Sequence, residues 1–411
     1  MDNLKKKRVA IVTNFFYPIK YIGANRMEAF AEYLSDDFEV VVFAQHHKLR
    51  SNRFGENIEV IYNSSNWFLE VLKNKNTDNK LVHKSKTLLN IIIRKLITKP
   101  LLKWKEKTFH QLTEIHASNQ FDVIISSFPY VEAHLVAIEF CTLHQEVKWI
   151  ADMRDEMSFN PNHSKAINDE MRDIEKQIDK LASAVISVSE PILSKYKSNL
   201  KNIKIAEEIR NGFNHELKFE IEVAQTSILK LGYFGSFYGE IKPTNLFKTL
   251  VELPSDFQFE MHIYGSFSNF IVPNEIKSKV VIHSSLSYLD AIKTMNTMDA
   301  NLVIHPTTQR KGVYTGKLFD YISARKPILA LMDESDVAAQ LIRDFDCGYI
   351  CDNSNIQGIK QQILDIQLDK LNQVAKVASQ TNIDSLHRSQ GVDVLKKIIN
   401  NILDENPSSW S

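Results

Sequence analysis

The chain has 411 residues, and its 50 Lys and Arg are matched by 50 Asp and Glu, a formal net charge of 50 − 50 = 0. Hydrophobic residues make up 44% and charged residues 24%, which excludes wholesale disorder; at roughly 150 residues per domain the length allows two to three domains. A neutral chain is not one that coats nucleic acid, and 3 cysteines (Cys141, Cys347 and Cys351) are too few for a disulfide framework and suit a reducing compartment.

The N-terminus has basic residues and a short apolar run but no long apolar region or small-residue cleavage site, so no signal peptide is expected. No stretch approaches ~18 uninterrupted apolar residues, so no membrane span is expected and a cytoplasmic location is the default. Residues 8–13 are a short apolar run of the kind a buried parallel strand requires. Met27, Phe30, Ala31 and Leu34 then fall on one helical face. Further strands are expected at 38–43, 58–62, 121–126, 147–151 and 184–188. The pattern restarts after about residue 200, with strands at 228–234, 259–264, 279–283, 300–304, 327–331 and 348–351 and a helix from Leu318 to Ala324. The stretch 386–404 has the apolar period of a final helix. Alternating strands and helices predict an α/β chain of two Rossmann-like domains with doubly wound parallel sheets and a cleft between them. The boundary is placed between Tyr196 and Ser227, giving domains 1–205 and 206–385 and a C-terminal helix, 386–411, that returns to the first domain. Cys347 and Cys351 have neither a His cluster nor a second cysteine pair beside them, so they read as ordinary cysteines near a strand rather than a metal site.

Ligands of open α/β sheets sit beyond the carboxyl ends of the strands, so the loops after strands carry the candidates. In the first, Gly23 stands where a helix begins and Arg26 lies in its first turn; the glycine is either an anion-binding element or a plain turn. No GxGxxG is present, which argues against a dinucleotide enzyme. In the second, Ser126, Ser127 and Pro129 end a strand, and His134 in the next helix is either a packed residue or a ligand contact. In the third, "ADMRD" puts Asp152, Arg154 and Asp155 at the end of a buried strand, where three charges need partners. They either lock the loop through an Arg154 salt bridge or present a carboxylate to the cleft. The second half has the stronger set. Gly235, Ser236 and Gly239 follow a strand, with Lys242 beyond them, and Thr315, Gly316 and Lys317 open a helix that carries Asp320 one turn on. Small residues, lysines and helix N-termini suit a diphosphate, and Asp320 suits a ribose diol.

These residues resemble the GT-B glycosyltransferases of the retaining family 4 type, including members of bacterial polysaccharide biosynthesis. The resemblance covers nearly the whole chain and rests on "FGSFYGEIKP" (234–243), "HIYGS" (262–266), "TGKLFDYISARKPILA" (315–330), "IRNGF" (209–213) and the "ADMRD" loop (151–155). It implies a metal-independent glycosyltransferase without a cofactor, whose second domain binds a UDP- or GDP-linked sugar and whose first binds a saccharide or lipid-linked saccharide acceptor. By the resemblance Gly23, Gly235, Ser236, Lys242, Thr315, Gly316, Lys317 and Asp320 would hold the donor. Arg26 and His134 would contact the acceptor, and Asp152, Arg154 and Asp155 would form the catalytic set. Two positions depart from the family pattern. The first residue of its Glu-x7-Glu pair falls on Gly312, and the arginine after the first phosphate-loop glycine is Ser236. These departures leave room for a second reading, a catalytically weak nucleotide-sugar-binding partner of another transferase. A nucleotide-sugar epimerase would need an acid/base set that the sequence does not display.

Residues 84–107 interleave eight basic side chains with apolar ones, and no acidic residue appears before Glu106. The segment is either a core helix with a wet basic face or an interfacial element on anionic lipid, with Trp104 at headgroup level and Pro100 breaking or kinking it. The interfacial reading would make the protein peripheral at the inner face of the plasma membrane.

Overall fold

The structure, a computed structural model, describes residues 6–18, 22–45, 57–63, 86–237, 239, 241–265 and 270–404, with the backbone alone at 22 and 86–100. The chain divides into two compact units, 1–209 with 391–411, and 210–390.

The first unit runs β1 (Arg8–Thr13), α1 (Ile22–Leu34), β2 (Glu39–Gln45), β3 (Ile58–Asn63), α2 (Lys86–Ser118), β4 (Val123–Ser127), α3 (Glu132–Leu143), β5 (Lys148–Asp152), α4 (Lys165–Leu181), β6 (Ala184–Ser187), α5 (Glu190–Asn199) and β7 (Ile205–Glu208). Its seven strands are all parallel in the order β3-β2-β1-β4-β5-β6-β7. Every residue of β1 and β4 is buried, as expected of central strands covered on both faces. β7 was not foreseen from the sequence. It is a half-exposed edge strand, "IAEE", with too few apolar residues to stand out.

The second unit runs β8 (Leu229–Phe234), α6 (Thr244–Val251), β9 (Phe259–Tyr264), a 3-10 turn (Asn274–Lys279), β10 (Val280–His283), α7 (Tyr288–Asn296), β11 (Ala300–Ile304), α8 (Gly316–Ser323), β12 (Ile328–Leu331), α9 (Val337–Asp344), β13 (Gly348–Cys351), α10 (Ile356–Leu371) and α11 (Gln380–Ser385). Its six parallel strands follow the same order, β10-β9-β8-β11-β12-β13. In both sheets the strand order reverses beside the first strand, between β1 and β4 and between β8 and β11. Loops part there and leave a crevice at the carboxyl ends.

The last helix, α12 (Arg388–Asp404), buries Val392, Leu395, Ile398, Ile399 and Ile402. These join Val9, Ile11, Met27 and Phe30 in the core of the first unit. Cys141, Cys347 and Cys351 are free and buried, and burial pushes the thiols of Cys141 and Cys347 up to about 12.

The basic segment requires two corrections. α2 runs unbroken from Lys86 to Ser118 through Pro100. Downstream packing of Leu101, Trp104 and Leu112 supports the helix after the missing proline N–H. Trp104 is fully enclosed in the core with Phe121, Phe140 and Trp149, so it is not at a headgroup level. Lys105 pairs with Glu139 of α3. Lys84 and the side chains of 86–100, including Lys99, lie outside the described residues. Among the described residues no helix is long and apolar enough to cross a membrane. Trp104→Ala should cost about 3–5 kcal/mol, the range for deleting a buried indole. Urea unfolding checks this, and a loss under about 1 kcal/mol would contradict the core assignment.

Candidate functional site

In the first unit, the network at the carboxyl ends of the strands centres on an ion pair. Asp152 ends β5 with no exposed surface, and Arg26, in the second turn of α1, is 2% exposed. Arg26 reaches the carboxylate with two bonds, Nε to Oδ2 at 3.1 Å and Nη2 to Oδ1 at 2.9 Å. Its Nη1 donates to the carbonyl of Ile209 at 2.7 Å, and its guanidinium lies 4.7 Å from the centre of the Phe30 ring. Ser127, at the end of β4, donates to Asp152 Oδ2 at 2.8 Å. The bidentate geometry offsets the large desolvation cost of burying both charges.

Arg154 completes the network. Its Nε donates to the Phe128 carbonyl at 2.6 Å and lies 3.8 Å from Asp152 Oδ2. Its guanidinium rests on the Cα of Gly23: a Cβ there would come within 2.1 Å of Nη1. Gly23 is thus required for close approach of α1 to the β5 loop. The backbone of that loop is pinned by the Tyr196 hydroxyl, which donates to the Asp155 carbonyl at 2.7 Å and accepts from Met157 N–H at 3.0 Å. Glu175 accepts from Ser158 N–H at 3.0 Å and from its hydroxyl at 2.6 Å. Asp155 is half-buried, whereas Asp152 and Arg154 are enclosed.

His134 has no exposed surface; its Nδ1 lies 2.7 Å from Ser126 Oγ, which also accepts from Trp149 Nε1 at 2.8 Å. Burial pushes it down to about 4, so it is neutral. Arg26 and His134, expected to contact the acceptor, instead sit beneath the surface and act on a ligand only through neighbours. Asp152 likewise has its oxygens engaged by Arg26 and Ser127 and is a positioning group.

In the second unit, Gly235 follows β8 with φ +131°, a region that favours glycine, and Gly265 follows β9 so closely that a Cβ would meet the Gly235 carbonyl oxygen at 2.3 Å. Lys317, in the first turn of α8, reaches back to this turn. A Cβ on Gly235 would lie 2.5 Å from its Nζ, so the missing side chain makes the space the ammonium fills. Nζ donates to the Tyr233 hydroxyl at 3.0 Å and stands 4.3 Å from the ring centre. Tyr233 in turn donates to the Ser236 carbonyl at 3.2 Å and stacks on Phe237 at 4.1 Å. No carboxylate among the described residues pairs with Lys317, and burial pushes it down to about 8. Thr315 occupies the N-cap without a side-chain capping bond, and Gly316 opens the helix. The first-turn amides therefore add positive potential beside an ammonium that has no counter-ion among the described residues.

Asp320 lies one turn along α8. The Tyr288 hydroxyl donates to its Oδ1 at 2.9 Å, yet burial pushes it up to about 6, against the lowering effects of Tyr288 and the Arg388 charge. His215 accepts the Leu217 N–H at Nδ1, 3.2 Å, which leaves Nε2 to donate to Ser323 at 2.9 Å. Lys242 is exposed just before Pro243 and α6, and Ser236 is half-buried. Thus Gly235, Ser236, Thr315, Gly316 and Lys317 share one surround, with Asp320 a turn away on the same helix. Tyr233, Tyr288 and Tyr196 were missed, because a tyrosine in or beside an apolar run reads as core.

One trio of metal-type side chains occurs among the described residues: His116, His144 and Glu146. Phe121 N–H donates to His116 Nδ1 at 3.0 Å, so the proton of the neutral ring is on Nε2, 3.4 Å from Glu146 Oε1. That nitrogen offers a proton rather than a lone pair, and the trio is a hydrogen-bonded cluster.

No protein-family model and no curated protein matches the sequence. Solved structures do match. Sucrose-phosphate synthase from Thermosynechococcus elongatus aligns with a TM-score of 0.67 at 11% identity, covering 98% of this chain and 100% of that one. Anabaena HepE, in complex with UDP and glucose, aligns with a TM-score of 0.62 at 14% identity over 96% and 99% of the two chains. The lipopolysaccharide outer core galactosyltransferase WaaB aligns with a TM-score of 0.58 at 12% identity over 96% and 99%. At these identities the likeness is one of fold, and the fold is GT-B: two Rossmann-like domains in one chain.

Removing Arg26 alone should leave Asp152 buried and uncompensated. Arg26→Ala should therefore destabilise the chain by about 3–5 kcal/mol, while Arg26→Met with Asp152→Leu should recover much of that loss. Urea unfolding of the three variants checks this; a double variant no more stable than Arg26→Ala would contradict it.

Proposed function

We propose that the chain is a glycosyltransferase that moves a sugar from a nucleotide-sugar donor, held by the second unit, to a saccharide acceptor bound by the first. The observation that carries this reading is the half-buried Lys317 side chain, whose ammonium is set between the Gly235 turn and the N-terminus of α8 with no carboxylate among the described residues paired to it. Such a place is short of one anion, and a diphosphate fits its chemistry. As the glycosidic C–O bond of the donor breaks, negative charge grows on the leaving diphosphate. Lys317 and the α8 amides stabilise that charge without having to reorganise. Asp320 accepts the ribose hydroxyls, and Lys242 supplies a second, exposed cation at the entry of α6.

In the first unit Asp155 is the half-buried carboxylate that meets the acceptor. Arg26, Asp152 and Arg154 hold its loop. UDP is favoured by the ligand of HepE, and a surface saccharide acceptor by the name of WaaB. From the family resemblance we add retention of configuration, a hexosyl donor, independence of metal and a lipid-linked acceptor met at the membrane surface.

Lys317→Ala should weaken binding of UDP or GDP by about 1.5–3 kcal/mol, the range for a lost hydrogen bond to a charged group. Isothermal titration measures this, and unchanged affinity would remove the phosphate assignment.

The pH dependence has two limbs. Lys317 must be protonated to bind an anion, and it loses its proton near pH 8, so affinity should fall by about tenfold per pH unit above that. Asp320 accepts most strongly from a ribose when ionised, so nucleoside diphosphate binding should also weaken below pH 6, and by more than pyrophosphate binding, which loses only the phosphate's own charge. An affinity that is pH-independent between about 6 and 9 would contradict the Lys317 assignment, and equal losses for the two ligands below about pH 6 would contradict that of Asp320. Transfer or hydrolysis of sugar nucleotides by the purified chain tests the activity itself.

A further inference from the structure

The loop that delivers Lys317 leaves β11 at His305 and enters α8 at Thr315. Within it Gly312 has φ +83°, and its N–H donates to Oδ1 of Asp336 at 2.8 Å. The same oxygen accepts from Val337 N–H at 2.8 Å, so one carboxylate both caps α9 and ties two neighbouring loops together. Asp336 is 7% exposed. Its Oδ2 takes no hydrogen bond from any described residue, and it is not one of the enclosed unpaired atoms.

The charges around it leave this carboxylate open. Lys311, next to Gly312, is taken by Asp333. Burial holds His305 below the ordinary imidazole range against the opposing pull of Asp336, and the Arg310 charge lowers it further. Among the described residues Asp336 is held by amides, with no ion pair to it. A short loop thus has a fixed carboxylate bound at Gly312 and, five residues on, an ammonium with no counter-ion among the described residues. The two ends suit different parts of one ligand. A carboxylate repels phosphate but accepts strongly from hydroxyls, whereas the ammonium does the reverse.

We propose that Asp336 recognises the glycosyl group of the donor: its Oδ2 accepts hydroxyls of the sugar while Lys317 takes the diphosphate. The inference rests on the nucleotide-sugar reading and adds to it the residue that selects the sugar. Gly312 supplies the N–H, and its positive φ points that N–H at the carboxylate.

The test is to compare affinity for a nucleoside diphosphate with affinity for its sugar conjugate, using UDP, GDP and a panel of UDP- and GDP-hexoses. Asp336→Asn keeps an oxygen for both amides and replaces the open one with NH2. Asp336→Ser keeps the helix cap without a carboxylate. Thermal melting shows whether each variant is folded. Both variants should bind the free nucleoside diphosphate within about twofold of wild type. Both should lose about tenfold or more for the tightest-binding sugar nucleotide, as expected when a charge-assisted hydrogen bond is lost. Equal losses for nucleotide and sugar nucleotide, or no loss for either, would overturn the assignment of Asp336 and leave the nucleotide reading standing. A wild-type chain that binds neither UDP nor GDP would overturn both.

Discussion

A half-buried ammonium with no counter-ion among the described residues is the constraint on which the proposed site of the second unit depends. Desolvation disfavours the charged form of Lys317, and nothing among the described residues offsets it except a phenol and its ring. The fold sustains this arrangement through contacts made elsewhere. Tyr321 of α8 accepts the Phe234 N–H at 3.1 Å, which ties the helix to the end of β8, and two glycines let the β8 and β9 turns close against each other. Each of these contacts keeps the positive end of α8 and the ammonium in one place. In the proposed reading an anion would remove this local instability, and the site would select for negative charge before any shape is read.

The first unit handles charge in the opposite way. Arg26 and Asp152 satisfy one another with two direct bonds, and Ser127, Ile209 and Phe30 take up the remaining donors, acceptors and ring face. This pair is internally complete and fixes the loop that follows β5. The contrast divides the labour within the chain: charges that compensate each other build the scaffold, and the charge that no described residue compensates marks the proposed binding site.

Much of the fold was legible because buried parallel strands must be apolar along their whole length, so runs such as "RVAIVT" and "ILKLGYF" stand out. The loops of the second unit that bring Gly235 and Lys317 together stood out for a related reason, since glycine and lysine after a strand have few structural uses. What failed was anything decided by distant partners. Arg26 and Asp152 are 126 positions apart, so the sequence could show each charge but not their pairing. Lys317 was identified, but Tyr233, 84 positions away, was not. Asp336, not singled out from the sequence, caps α9, and its bond to Gly312 is visible only in three dimensions. Trp104 was left between two readings because a tryptophan among lysines suits either a membrane surface or a core, and only the enclosing residues decide between them.

The measurement that bears most directly on the central claim is the titration of Lys317 itself. With lysine side chains isotopically labelled and the Lys317 signal assigned by its absence in Lys317→Arg, NMR would follow its ionisation with and without UDP. The account predicts a free-state pKa near 8 and a clear rise toward the ordinary lysine value of about 10.4 when the diphosphate is bound. A pKa that is already ordinary in the free chain, or that does not move on UDP binding, would contradict it.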